Sequence, residues 1–253
     1  MNKSTHHHIR VRRVAAAAAA LAFTVAACGS DSGESEPTDP RLPPDAQAIV
    51  DTAAVAMGDV TSVRFELSRS GAPVYIDQFD AISIERAVGE FAVPRSAQAV
   101  LNVQVDGSLN TDLAAIALDD EVWLSNPITG QFETLPSGYD IDPSLFFDPE
   151  NGWQPLMENL VDIELVSPEP VDRDGRDRYH LTATAPAANI EIITARLVRG
   201  QDVDFEFWVQ PVTGRVRAAE FTADFNGDDV TWVLELSDYG ADFDIAPPDG
   251  VTS

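Results

Sequence analysis

The sequence contains very little cysteine, lysine or histidine, and each shortage excludes a class of protein. A single cysteine in 253 residues leaves no intramolecular disulfide, so a hydrophobic core must hold the fold. Three of the four histidines lie at positions 6–8, which leaves His180 for the rest of the chain. No Cys/His cluster with zinc spacing, no GxSxG elbow and no phosphate-binding glycine loop is present. We therefore expect no catalytic residue, no metal and no cofactor.

The amino terminus has the pattern of an exported and acylated protein. Four basic residues precede the apolar run 14–25, which is too short to span a bilayer comfortably: Lys3, Arg10, Arg12 and Arg13. Residues 25–28, Val-Ala-Ala-Cys, resemble a bacterial lipobox. The resemblance implies that residues 1–27 are a lipoprotein signal peptide and that Cys28 is lipidated. An ordinary secretory signal with an incidental cysteine is the alternative.

Removal of this segment leaves an extremely acidic chain. Residues 28–253 hold 12 arginines and no lysine against 42 acidic residues, a formal charge of −30. Such a charge argues against nucleic acid and against lying flat on anionic lipid. Two acyl chains at Cys28 would anchor the protein to the membrane without a basic patch.

Two segments follow the predicted cleavage site. Residues 28–44 consist of the cysteine and a stretch rich in serine, proline, glycine and acid, which predicts a disordered tether. Random-coil scaling gives this tether a reach of about 20–25 Å. Residues 45–253 have the length of one domain.

Periodicity predicts a helix, a series of strands, central helices and further strands. Asp45 has the position of an N-cap, and Gly58 can end the first helix. Residues 62–70 alternate as one strand, and 98–127 are predicted to hold three more in an antiparallel meander. Asp142-Pro143 and Asp148-Pro149 have the pattern of helix starts, and one apolar helical face follows them: Trp153, Leu156, Met157 and Leu160.

The carboxyl-terminal part is predicted to return to strands. Residues 161–167 and 179–185 alternate, and we favour a short helix over a strand for 187–199. Thr213-Gly214 and Asn226-Gly227 are expected to join three last strands. The whole pattern predicts an α+β fold, a large curved antiparallel sheet with helices on one face.

Several polar or aromatic residues could form a metal site, a catalytic site or a ligand-binding wall. Asp172, Asp174, Gly175 and Asp177 superficially resemble a calcium loop, but the spacing is wrong and a hairpin turn is the simpler interpretation. His180 alternates with apolar residues and is expected to face solvent. The many aromatic residues fit either a solid core or the wall of a cavity, and periodicity does not distinguish the two.

The order of several segments resembles the LppX/LprG/LprF family of actinobacterial, chiefly mycobacterial, lipoproteins. The segments are the lipobox with its tether, the opening helix running into "SVRFELS", "DPENGWQPLMENLVD", "FWVQPVTGRVRAAEF" and "LELSDYGADFDIAPP". The chain differs from the family in its acidity and in extra residues at "VYIDQFD".

This resemblance implies a half β-barrel of strongly bent antiparallel strands with helices covering its concave face, as in LolA/LolB lipid carriers. It also implies an apolar cavity for the acyl chains of a lipid or glycolipid, carried between the cytoplasmic membrane and the outer envelope, in some members beside a membrane exporter. We expect a monomer on the extracytoplasmic face of the membrane. From the predicted faces, the lipid-binding residues would be Phe65, Val103, Trp153, Leu156, Met157, Phe205 and Phe207.

Two other functions remain open. One is a structural or interaction lipoprotein with a solid core that scaffolds an exporter or an envelope enzyme, which the lack of a cavity above about 300 Å³ would favour. The other is an envelope hydrolase, which would need two carboxylates about 5–9.5 Å apart in a cleft.

Overall fold

A computed structural model describes residues 44–77, 79–119, 121–135, 150–194 and 196–248. Within these ranges the chain forms three helices, α1 (Ala46–Gly58), α2 (Trp153–Glu158) and α3 (Ala187–Ile193). It also forms twelve strands: β1 (Ser62–Gly71), β2 (Ile82–Ala92), β3 (Ser96–Val105), β4 (Leu109–Leu118), β5 (Glu121–Ser125), β6 (Phe132–Thr134), β7 (Val161–Leu165), β8 (Val171–Arg173), β9 (Arg176–Ala185), β10 (Val203–Val209), β11 (Val216–Phe225) and β12 (Asp228–Ser237).

All of these strands belong to one antiparallel sheet. The strand order is β6-β5-β4-β3-β2-β1-β12-β11-β10-β9-β7, and β8 pairs with β9 beside this path. The first and last strands of the path are not paired with each other in the described residues, so the sheet is open. The first and last long strands are neighbours, since β1 pairs with β12 over eight residues from Arg64↔Ser237 to Gly71↔Val230. This pairing brings the two halves of the chain into one sheet.

Side-chain alternation gives the sheet an apolar face, which we call the inner face. On β1, Val63, Phe65 and Leu67 belong to it, and the cross-strand partners of Phe65 and Leu67 on β12 are Leu236 and Leu234. The opposite, outer face carries polar residues such as Arg64 and Glu66. The predicted faces of β1 are confirmed.

The sheet bends strongly around its inner face. Side chains from β5 and from β10 line one common cavity, although seven strand-to-strand steps separate these two strands. In a flat sheet that separation would be about 34 Å, at roughly 4.8 Å a step. A shared cavity therefore requires the sheet to curl, and the helices cover its concave side. The predicted α+β fold with a curved antiparallel sheet is confirmed.

Local sequence signals explain most element boundaries. The Asp45 carboxylate caps α1 by accepting hydrogen bonds from the backbone N–H groups of Gln47 (2.8 Å) and Ala48 (3.4 Å). The turns at Asp174-Gly175 and Asn226-Gly227 have positive φ at both residues, as tight hairpins require. The hairpin between β8 and β9 confirms the simpler interpretation of the acidic segment 172–177.

Strand β2 was not anticipated, and its register explains why. A bulge falls between Ile84 and Arg86, so the inner-face residues are even-numbered before it (Ile82, Ile84) and odd-numbered after it (Ala87, Phe91). This change of phase breaks the simple alternation that marks a strand in a sequence.

The helices complete a core against the inner face. Ile49, Ala53 and Met57 of α1 join the same buried cluster as Trp153, Leu156 and Met157 of α2, and α3 adds Ile190 and Ile193. Two parts of the chain with predictions lie outside the described residues. They are residues 1–43, which include Cys28, and the proposed helix starts at Asp142-Pro143 and Asp148-Pro149. None of the helices in the described ranges is long and apolar enough to cross a membrane.

Candidate functional site

An apolar cavity lies between the concave side of the sheet and the two short helices. Its walls come mainly from the inner-face residues of β1 to β5 and of β10 to β12, together with Leu135, Trp153 of α2, and Ile193, Thr194 and Leu197 at and after the end of α3. None of the lining residues that the structure describes carries a charge. The lining is Phe65, Leu67, Ile76, Ile82, Ile84, Ala87, Phe91, Ala97, Gln98, Ala99, Leu101, Ala115, Ile116, Ala117, Val122, Leu124, Leu135, Trp153, Ile193, Thr194, Leu197, Phe205, Ala219, Phe221, Trp232, Leu234 and Leu236.

The free volume of the cavity is small. The centre of a water molecule can occupy about 180 Å³ within it, whereas the whole atom-free space around the lining side chains, with adjoining open solvent included, is about 1620 Å³. These volumes lie on either side of the 300 Å³ or so at which ligand pockets usually begin. We call this space the slot, because a free volume this small between the lining side chains fits a thin, flexible ligand better than a wide rigid one.

The polar groups of the lining are few and mostly engaged. The amide nitrogen of Gln98 donates to Glu90 Oε2 at 2.6 Å, and Thr194 Oγ1 donates to the Ile190 carbonyl at 2.7 Å while accepting from the Val198 N–H at 3.2 Å. The indole N–H of Trp232 differs from them, because it is buried and has no hydrogen-bond partner among the described residues. The wall thus offers almost pure hydrocarbon to a ligand.

The chain between β1 and β2 borders the cavity, and we call its described residues, 72–77 and 79–81, the rim loop. Its Ile76, and Ile82 directly after it, belong to the cavity lining, whereas Phe79 is 77% exposed. The Asp77 carboxylate organises this loop, accepting hydrogen bonds from the N–H groups of Phe79 (3.0 Å), Ala81 (3.0 Å) and Ile82 (2.7 Å). The loop therefore carries an exposed aromatic side chain three residues along the chain from the lining residue Ile76.

A buried arginine fastens the rim loop to the sheet. Arg69, whose side chain is 4% exposed, donates from Nε to the Ile84 carbonyl at 2.7 Å and from Nη1 to the carbonyls of Gly71 (3.0 Å) and Ala72. It also forms an ion pair with Glu85, the residue inside the β2 bulge. These bonds satisfy a charge that would otherwise be costly to bury.

The structure places the seven predicted lipid-binding residues in two groups. Phe65, Trp153 and Phe205 line the cavity. The other four are fully buried but are not among the lining residues: Val103, Leu156, Met157 and Phe207. Leu156 and Met157 are on α2, which packs against α1. Contact with a lipid stays a prediction for all seven residues.

Much of the lining escaped the sequence reasoning. The inner-face residues of β2 were missed because of the bulge, and Trp232, Leu234 and Leu236 were not singled out although β12 alternates regularly. The alternation shows that these residues share a face, but it does not show which residues of that face meet a cavity and which meet another side chain.

Titratable groups with displaced pKa values lie away from the lining. Burial raises the pKa of the Tyr239 phenol, whose hydroxyl donates to the Val216 carbonyl. Burial and the neighbouring Arg217 and Arg176 lower the pKa of Arg178. Neither Asp nor Glu is among the lining residues in the described part of the chain. The carboxylate pair of a glycosidase-type hydrolase is therefore not found among the residues that line it.

His180 lies on the outer face, but its side chain is 18% exposed and thus less open to solvent than predicted. It stacks on Trp208 with ring centroids 4.5 Å apart, and its Nε2 lies 2.9 Å from Glu206 Oε2. No group of three or more His, Cys, Asp or Glu side chains in the described part of the chain is placed to hold a metal.

Comparisons with known proteins place this architecture. Over most of the chain, the fold matches the crystal structure of LprF from Mycobacterium bovis, with a TM-score of 0.63, 17% identity and coverage of 83% of this chain and 99% of that one. It also matches LppX from Mycobacterium tuberculosis, with a TM-score of 0.54, 13% identity and coverage of 79% and 98%. A search of curated proteins finds no significant match.

The sequence itself matches a family model. The model describes the LppX_LprAFG lipoproteins, and residues 45–245 match it, which is most of the chain and all of the described sheet. The chain belongs to the LppX_LprAFG lipoprotein family.

Proposed function

We propose that this protein is a lipid carrier of the cell envelope that holds the acyl chain of a lipid or acylated glycolipid in its cavity. The observation that carries the proposal is a cavity with an almost wholly apolar wall and no charged lining residue. Each methylene group moved from water into such a wall contributes about 0.8 kcal/mol, so a sixteen-carbon chain gains on the order of 10 kcal/mol. The chain loses a similar amount on leaving a bilayer, so the exchange is close to balance and reversible.

The proposed location follows from the amino terminus. Acylation of Cys28 would hold the protein at the extracytoplasmic face of the membrane, and the tether would let the domain reach lipids there. The carrier would move lipid between the cytoplasmic membrane and the outer envelope, either alone or with an exporter. No catalytic residue is needed for this function.

The small free volume supports a second candidate. With about 180 Å³ open to the centre of a water molecule, the cavity falls below the usual size of a ligand pocket. A lipoprotein that scaffolds an exporter or an envelope enzyme would need no larger cavity. Lipid binding distinguishes the two candidates, because only the carrier has to open its slot for an acyl chain.

Two adjacent residues of β3 provide the experiment. Leu101 lines the cavity, while Val100 lies on the outer face and is 50% exposed. We would measure the affinity of the wild-type protein and of Leu101→Arg and Val100→Arg for a fluorescent long-chain acyl probe. A charge on the cavity wall must be desolvated when the slot fills, so Leu101→Arg should weaken binding at least about tenfold.

Val100→Arg is the matched control and should bind as the wild type does. Thermal unfolding of both variants shows whether each one is folded. Equal binding by two folded variants, or no binding by the wild-type protein, would contradict the carrier and favour the scaffold.

A further inference from the structure

Trp232 carries a buried hydrogen-bond donor that the protein itself leaves unused. Trp232 lies on the inner face of β12, lines the cavity and is 3% exposed. Its Nε1 is one of two buried side-chain polar atoms among the described residues that have no partner, and the other, Arg173 Nε, is outside the cavity lining. An indole N–H can only donate, and a buried donor without an acceptor costs free energy.

The other residues that line the cavity limit which chemical groups of a ligand could accept this hydrogen bond. Gln98 and Thr194 already use their polar groups within the protein. No cationic side chain is among the described lining residues, and Arg69, the cross-strand partner of Trp232, is already paired with Glu85. The charged carboxylate of a free fatty acid would therefore find no free counter-ion. An ester carbonyl is neutral and accepts a hydrogen bond, so it satisfies the donor without burying a charge.

The position of Trp232 along the sheet fits the end of an acyl chain. Its cross-strand partner on β1 is Arg69, the residue that fastens the rim loop. Away from the rim, the lining continues along β12 through Leu234 to Leu236, about 13 Å of apolar wall at roughly 3.3 Å per residue. An acyl ester has its carbonyl at one end and only hydrocarbon beyond it. This matches the wall, which has the Trp232 donor near the rim loop and only apolar side chains further along β12.

We infer that Trp232 Nε1 donates a hydrogen bond to the ester carbonyl of a neutral acyl-ester ligand, whose hydrocarbon tail lies along β12 away from the rim loop. This inference rests on the proposed lipid-binding function and specifies the class of ligand. It makes Trp232 a specificity-determining residue that separates acyl esters from other hydrocarbons of the same length.

A matched pair of ligands tests this assignment. Methyl palmitate and methyl hexadecyl ether differ only in the carbonyl oxygen, and each would compete with a fluorescent acyl probe for the full-length protein. We expect the wild-type protein to prefer the ester about three- to tenfold. In Trp232→Phe, which keeps an aromatic ring and removes the N–H, the preference should vanish while the affinity for the ether stays within about twofold.

Trp208→Phe is the control for the substitution itself. Trp208 is on the outer face, stacked on His180, and its replacement should leave the ester preference intact. Unfolding curves identify any variant that fails to fold. If Trp232→Phe does not fold, Trp232→His keeps a ring N–H donor and should retain part of the preference.

Three results would overturn the inference while leaving the carrier in place. They are equal binding of ester and ether by the wild-type protein, tighter binding of the palmitate anion than of the ester, and an ester preference that survives in Trp232→Phe but disappears in Trp153→Phe. Failure of the wild-type protein to bind any of these ligands would instead contradict the proposed function.

Discussion

The ring of Phe65 lies directly against Gly89, its cross-strand partner on β2. A Cβ atom placed on Gly89 would be 2.5 Å from Phe65 Cζ and 2.4 Å from the carbonyl oxygen of Gln98 on β3. Only a residue without a side chain leaves room for both contacts. Because Phe65 also lines the cavity, Gly89 determines how far this ring stands out from the sheet.

Gly89→Ala should therefore destabilise the protein and narrow its cavity. The carbonyl of Gln98 is part of a paired strand and cannot move cheaply, so we expect a loss of about 1–3 kcal/mol in the free energy of unfolding. Urea denaturation measures this loss. Gly58→Ala is the control, because the added methyl group would meet only the flexible end of the Gln154 side chain. An equal loss in both variants would contradict the special position of Gly89.

Phe79 should affect the rate of lipid transfer more than the affinity for lipid. The exposed ring is on the rim loop, three residues from the lining residue Ile76, and is free to enter a bilayer. Burying an aromatic ring there contributes about 1.5–3 kcal/mol. Phe79→Ser should slow transfer between phosphatidylcholine vesicles about tenfold, with acyl-probe affinity unchanged.

Val212→Ser is the matched control for Phe79. Val212 is 90% exposed, but it lies in the turn between β10 and β11, at the opposite end of the sheet from the rim loop. Its transfer rate should equal that of the wild type. A similar slowing in both variants would remove the specific role of the rim loop.

A cation–π interaction between Arg173 and Trp208 helps to stabilise the outer face of the sheet. The guanidinium carbon of Arg173 lies 4.0 Å from the ring centroid of Trp208, and Arg173 also forms an ion pair with Glu235. Arg173→Gln should lower the free energy of unfolding by about 1–2 kcal/mol. Arg199→Gln, at an exposed arginine, should cost less than about 0.5 kcal/mol. Denaturant melts of the two variants compare them, and equal losses would contradict this role of Arg173.

Stability should fall in strong base because of Tyr239. Burial raises the pKa of its phenol above the value of about 10 in an unfolded chain, so its contribution is complete below pH 10 and is lost as the pH rises further. The only lysine is Lys3, so few other groups titrate there. Tyr239→Phe should make the melting temperature less dependent on pH above 10. An unchanged dependence would contradict the assignment.

Cys28 should determine where the protein is found. Cys28→Ser removes the sulfur that acylation requires, so the protein should leave the membrane fraction of a bacterial host and lose the mass of its acyl chains. Ser30→Ala, two residues further on, is the control and should remain with the membrane. A Cys28→Ser protein that stays in the membrane fraction would contradict the predicted anchor.

Local sequence signals predicted the structure correctly wherever it depends on residues a few positions apart. The Asp45 cap, the Asn226-Gly227 turn and the alternation of Phe65 with its neighbours depend on residues a few positions apart, and the structure has each of them as predicted. The short helix α3 was also predicted. Strand β2 was missed because the bulge after Ile84 changes which residues face inward.

The alternation of apolar and polar residues is not enough to predict which residues line the cavity. Phe205 and Phe207 share one face of β10, yet only Phe205 lines the cavity, because the curvature of the sheet and the placement of the helices decide which buried side chains meet empty space. The unpartnered indole of Trp232 is likewise invisible in a sequence, since it depends on what surrounds one atom in three dimensions.

By itself the sequence determined most of the antiparallel strands and turns, the first helix, the apolar face of α2 and the acidic, lysine-free body of this protein, because propensity and periodicity act over a few residues. The tertiary structure alone decided that residues as distant as Val122 and Phe205 share one slot and that the rim loop stands beside it. These features follow from the bend of a twelve-stranded sheet, a property that no short segment of the chain contains.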